Sequence, residues 1–121
     1  MKILIVDDSR TMRMIIRRTL RQAGYDHHTV FEASNGVEAL STIRESSPDV
    51  VLCDWNMPEM SGIDVLTTLR GKGVSTKFGF VTSESSDDMH SRAVSAGADF
   101  FVSKPFTPET LQTALDPILN T

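Results

Sequence analysis

The chain has 121 residues, 12 basic and 16 acidic, with a formal net charge of -4 at pH 7. That length suits one domain around one core, and the acidic balance argues against a nucleic-acid binder, whose surface carries a basic excess. The lone Cys53 excludes an internal disulfide and no apolar run is long enough to span a membrane, so a cytoplasmic protein without a membrane partner is expected.

Ile3-Leu4-Ile5-Val6 is an unbroken apolar run rich in β-branched residues, the pattern of a strand buried on both faces, and it ends on Asp7-Asp8. Ser9 is a candidate N-cap for a helix in which Met12, Ile15, Ile16, Leu20 and Ala23 recur at helical spacing, with Gly24 as its stop. Arg10, Arg13, Arg17 and Arg21 fall three or four apart and form one polar stripe on that helix. A solvated face is the expectation, and docking of an acidic partner is the alternative. Thr29–Ala33 reads as a strand near a sheet edge, since it mixes polar and apolar residues. Asn35 and Glu38 have capping-box spacing for a helix through about Glu45, with Ala39, Leu40 and Ile43 on its apolar side.

Val50-Val51-Leu52-Cys53 is a third strand, and it stops abruptly on Asp54. Ser61 and Asp64 have cap spacing for a helix lined by Ile63, Leu66 and Leu69 and ended by Gly71 and Gly73. Phe78–Val81 is a fourth strand running into Thr82-Ser83. Ser85 or Ser86 caps a helix bearing Met89, Ala93, Val94 and Ala96, closed by Gly97. Phe100–Val102 is a fifth strand, finishing on Ser103-Lys104-Pro105. Thr107 as N-cap and Pro108 at the first helical position open a last helix packed by Leu111, Leu115 and Ile118. Pro117 should kink that helix or end it near Asp116.

Strands alternating with amphipathic helices predict an α/β fold, a parallel sheet covered on both faces as a three-layer sandwich with right-handed crossovers. Strand order is not readable from periodicity. The strand ends are readable, and they carry Asp7 and Asp8, Asp54, Thr82 and Lys104. Ligands of open parallel sheets bind outside the carboxyl ends of the strands. Carboxylates gathered there repel one another, and a divalent cation and a lysine compensate them. An all-oxygen site with few protein ligands favours Mg²⁺. His27, His28 and His90 make no zinc cluster and read as surface residues. A carboxylate nucleophile with a metal, a lysine and a hydroxyl is the equipment of phosphoryl transfer.

Taken together, Asp7-Asp8, the run Asp54-Trp55-Asn56-Met57-Pro58, Gly62, Thr82 and Lys104-Pro105-Phe106 resemble the receiver domains of two-component response regulators, in particular the single-domain chemotaxis members. The resemblance covers essentially the whole chain. It implies one receiver domain over 1–121 with no output domain, a monomer, and a doubly wound (βα)5 flavodoxin-like sheet of order 2-1-3-4-5. It implies Asp54 as the phosphoacceptor, charged by a sensor histidine kinase or phosphotransfer protein. Mg²⁺ would sit on Asp8, Asp54 and the backbone carbonyl of Asn56, helped by Asp7. Thr82 and Lys104 would bind the phosphoryl oxygens, and the peptide before Pro105 is expected to be cis. Thr82 and Phe101 are implied as the switch, and Asn56 and Glu84 as tuners of the hydrolysis rate. Output would be phosphorylation-dependent binding of a target protein such as the flagellar motor switch.

The chain departs from that pattern at Phe101, where chemotaxis members usually carry Tyr, and at Ser83, where a smaller residue is common. Strand alternation sends Phe100 into one layer and Phe101 into the other, with Phe101 expected nearer the surface. A phosphorelay intermediate, or a regulator of another target, would use the same chemistry. An Asp-nucleophile phosphatase of the haloacid-dehalogenase type needs a second acid two residues past the nucleophile, where this chain has Asn56, and a cap insertion for which no segment is long enough. Beyond self-phosphorylation and self-dephosphorylation, the chain is not expected to be an enzyme.

Overall fold

The structure, a computed structural model, describes residues 1–83 and 86–119, the last of these by its backbone alone. Five strands and five helices alternate along the chain: β1 (Lys2–Val6), α1 (Arg10–Gln22), β2 (Thr29–Ala33), α2 (Gly36–Ser46), β3 (Val50–Cys53), α3 (Gly62–Gly71), β4 (Lys77–Thr82), α4 (Asp87–Ser95), β5 (Phe100–Ser103) and α5 (Pro108–Leu119). The strands form one parallel sheet in the order β2-β1-β3-β4-β5. β2 therefore does lie at an edge. β1 and β3 run side by side in the interior, which is why both are apolar throughout and wholly buried apart from Lys2.

Alternate residues of each strand feed two cores. Leu4, Val6, Val51, Cys53, Phe78 and Phe80 point to one face, where they meet Ala39 and Ile43 of α2, Leu66 and Leu69 of α3 and Ala93 of α4. Ile3, Ile5, Val50, Leu52, Val81 and Val102 point to the other, against Ile16 and Leu20 of α1 and Leu111 and Leu115 of α5. Fully burying one such aliphatic side chain contributes about 1.5–3 kcal/mol.

The helix starts follow their capping residues. Ser9 accepts from the Met12 N–H, Ser61 and Asp64 make the full reciprocal box, and Ser86 is the cap of α4. Thr107 accepts from the Thr110 N–H at 3.2 Å. At α2 only half of the expected box forms. Asn35 accepts from the Glu38 N–H, but the Glu38 carboxylate turns aside to accept from the Ser34 hydroxyl at 3.0 Å. The last helix does not end near Asp116; it runs on to Leu119 with Pro117 inside it. So close to the terminus, Pro117 removes a single backbone donor, and the turn survives. His28 also differs from a simple surface residue: it is half-buried, with Nδ1 3.0 Å from the Met1 amino group.

Candidate functional site

In this strand order the chain reverses its direction across the sheet between β1 and β3, and the carboxyl ends beside that point are where ligands of such sheets bind. Asp7 and Asp8 follow β1, and Asp54 follows β3. Backbone bonds continue the ladder past the strands and hold these turns in place. Asp7 N donates to Ala33 O at 3.1 Å, Asp54 N to Val6 O at 2.9 Å and Lys104 N to Thr82 O at 2.8 Å. The three acids come together, with a carboxylate oxygen from each within 4.8 Å of the others.

Asp7 is 2 % exposed and Asp54 9 %, while Asp8 stands out toward solvent. Burial pushes the Asp54 carboxyl above its ordinary range, Asp7 and Asp8 push the same way, and Lys104 and the Trp55 backbone N–H pull against them. Lys104 is the cation of the site: its Nζ lies 3.2 Å from Asp7 Oδ2 and 3.8 Å from Asp54 Oδ1. Thr82, the last residue of β4, is fully buried. The Lys104–Pro105 peptide is cis, as expected. Cys53 is buried in the core; its thiol donates to the Asp54 carbonyl at 3.2 Å, and burial, with the charges of Asp54 and Asp7, pushes its pKa up.

This donor set fits a hard divalent cation. It offers three carboxylates and no nitrogen or thiolate, and one lysine does not balance three negative charges. Asn56 lies two residues past Asp54 on the exposed loop. Glu84 and Ser85 lie outside the described residues. Phe101 sits on β5, paired in register with Phe80, its ring 6.2 Å from Phe80 and 5.1 Å from His90. Phe100 and Phe101 do enter opposite layers, and both are half-buried.

Several contacts around the site have no counterpart in the sequence reading. Arg13 and Arg17, expected on a solvated stripe, both close on Glu32 of β2, at 3.0 and 2.9 Å. Arg13 also donates to the Asp7 carbonyl at 2.7 Å. Gly62 N donates to Trp55 O at 2.8 Å, and a Cβ on Gly62 would overlap the Asp54 carbonyl oxygen. The sequence reading placed Gly62 among the residues of the resemblance, but not as a close approach to the Asp54 peptide.

The response regulator receiver domain family matches residues 3–116. The chain is 39% identical over 124 residues to the chemotaxis protein CheY1 of Helicobacter pylori, covering 100% of this chain and 98% of that protein. It is 40% identical over 124 residues to a chemotaxis protein CheY homolog of Campylobacter jejuni, covering 100% and 94%. Among solved structures it is similar to chemotaxis protein CheY4 of Vibrio cholerae, with a TM-score of 0.86, 34% identity and 98% of each chain covered. It is also similar to the signal receiver domain of a putative Luxo repressor protein from Vibrio parahaemolyticus, with a TM-score of 0.90, 25% identity and 98% and 89% covered.

Proposed function

The chain belongs to the response regulator receiver domain family, and from that premise we propose that it is a phosphorylation-activated regulator of chemotaxis type with Asp54 as its phosphoacceptor. The observation that carries this reading is Lys104 bridging Asp7 and Asp54, with the buried Thr82, at the ends of four strands. The donor is a phosphohistidine on a sensor kinase or phosphotransfer protein. A carboxylate oxygen of Asp54 attacks phosphorus, the new O–P bond forms as the N–P bond breaks, and the histidine nitrogen leaves with the electron pair.

Lys104 pairs with the phosphoryl oxygens, and the Thr82 hydroxyl donates to one of them. Asp8, Asp54 and the backbone carbonyl of Asn56 would hold Mg²⁺, with Asp7 in support. When bound, Mg²⁺ offsets the negative charge of the carboxylates and of the transferred group. Asn56 and Glu84 would tune the rate at which water hydrolyses the acyl phosphate. Phe101 then provides the readout. Thr82 responds to the new acceptor oxygens, the Phe101 ring repacks against Phe80 and His90, and the affinity of the α4–β5–α5 face for a target protein changes.

Incubation with Mg²⁺ and acetyl phosphate should place one base-labile phosphoryl group on Asp54, read by mass spectrometry. Asp54→Asn, or chelation of the metal, should abolish it; undiminished label on the Asn variant refutes the assignment. The output is tested by capture of target with the beryllofluoride-activated chain and with the unactivated one. Phe101→Ala should spare labelling and lose the difference between the two captures.

A further inference from the structure

We propose that Arg13 is a positioning residue that fixes the Asp7–Asp8 peptide for divalent-cation binding, anchored on its other side by Glu32. The proposal rests on the reading that Mg²⁺ binds at Asp8 and Asp54. Asp7 is tied down at nearly every polar atom: its N–H donates to Ala33 O, Oδ1 accepts from the Ser9 N–H at 2.9 Å, and Oδ2 accepts from Lys104. The carbonyl remains. It lies past the end of β1, whose pairing with β2 and β3 stops at Val6, so no strand supplies it with a donor.

Arg13 Nη1 supplies that donor at 2.7 Å. A peptide unit is planar, so holding the Asp7 oxygen also fixes the Asp8 N–H and Cα. The direction in which the exposed Asp8 side chain leaves the backbone, toward Asp7 and Asp54, is set there. Arg13 can hold that carbonyl firmly because its own guanidinium is held. Nε donates to Glu32 Oε1 at 3.0 Å, and Arg17 grips the other oxygen of the same carboxylate at 2.9 Å. The planar fork spans two acceptors in fixed directions, which a lysine ammonium on a flexible stem does not do. The Arg13 side chain is 14% exposed, so little water competes for either bond.

Positioning and plain charge predict opposite signs. A cation near the site repels Mg²⁺, so if Arg13 acted only through its charge, removing it would tighten Mg²⁺ binding. If it positions Asp8, removing it loosens binding, and partners behind metal-ligating groups typically change affinity by about 10–100-fold.

The test is a Mg²⁺ titration of the unphosphorylated protein, followed by the fluorescence of Trp55, the single tryptophan of the chain and the neighbour of Asp54. Arg13→Met should weaken Mg²⁺ about tenfold or more. Arg13→Lys, which keeps the charge and is the gentler change should the Met variant fold poorly, should also bind more weakly than the parent. Arg17→Met keeps the Arg13–Asp7 bond and removes only one of the two partners of Glu32, so it should weaken Mg²⁺ clearly less than Arg13→Met does. Binding at parental strength or tighter in both Arg13 variants overturns the proposal, and so does equal weakening in Arg17→Met. A parent that does not respond to Mg²⁺ overturns the metal reading itself, and the positioning role with it.

Discussion

The guanidinium of Arg92 lies over the indole of Trp55, 5.5 Å from the ring centroid. Trp55 directly follows the candidate phosphoacceptor, is 6 % exposed, and packs its ring 4.7 Å from Phe80. α4 thus covers the exit of β3 with a cation on an aromatic face, and such contacts contribute about 0.5–1 kcal/mol near the surface and about 2 when desolvated. Arg92→Ala should lower stability by about 1 kcal/mol, seen as a lower urea midpoint with an unchanged slope. An unmoved midpoint would mean that Arg92 only shields the ring.

Glu32 should give stability a pH dependence. Burial works to raise its pKa, but the hydrogen bonds and charges of Arg17 and Arg13 outweigh burial, and the net shift is downward. A carboxylate whose pKa is lowered by folding stabilises the fold fully above its ordinary value of 4.5, and that contribution is lost as pH falls through the lower, folded value. Because Glu32 is about a third exposed, the loss in Glu32→Gln at pH 7 should be about 1 kcal/mol or less. The gap between parent and variant should close in acid. Urea titrations at neutral and acidic pH check both statements, and a gap that persists in acid would contradict the ion-pair origin.

The three acids hold a repulsion that Lys104 only partly relieves. Replacing Asp54 with Asn keeps the shape and removes one negative charge, and Lys104 retains Asp7 at 3.2 Å. In the presence of a chelator, Asp54→Asn should therefore melt a few degrees above the parent. With Mg²⁺ added, the parent should gain in midpoint by mass action and the variant should gain less. A variant that melts below the parent without metal would show that the acids are not in net conflict.

Gly62→Ala should damage site and stability together. The new Cβ would overlap the Asp54 carbonyl oxygen and come within 2.9 Å of Phe80 Cε1. Backbone cannot yield as a flexible side chain does, so a loss of about 1–3 kcal/mol is expected. The Trp55–Gly62 backbone bond should lengthen, and Asp54 should label more slowly with acetyl phosphate. Gly71→Ala makes the control: a Cβ there meets nothing within 4 Å, and both properties should be spared.

Element types were legible because buried parallel strands are unbroken apolar runs and each helix carries its cap in the chain. Ser9, Ser61 and Thr107 show this directly. Strand order was not, since periodicity reports which residues are buried and nothing of which strand lies beside which; it came from the resemblance alone. The acids, Thr82 and Lys104 were legible as strand ends. The grip of Arg13 and Arg17 on Glu32 was not, because a stripe at helical spacing looks the same facing water or facing an acid 15–19 residues away on an edge strand. Of the two outcomes expected of Pro117, an end near Asp116 does not occur, because a rule about helix interiors was applied where little helix remained to break.

Gly79 of β4 lies opposite Phe100 of β5, and a Cβ on Gly79 would overlap the Phe100 ring. The ring therefore fills the space that a side chain on β4 would occupy. The two positions share one volume, and mutation can exchange that volume but not duplicate it. Across the receiver lineage, a chain with a bulky residue at position 79 should carry a small one at position 100, and Phe100→Gly should restore a Gly79→Leu variant that fails alone. Descent would then register the pair as a single heritable character written at two sites.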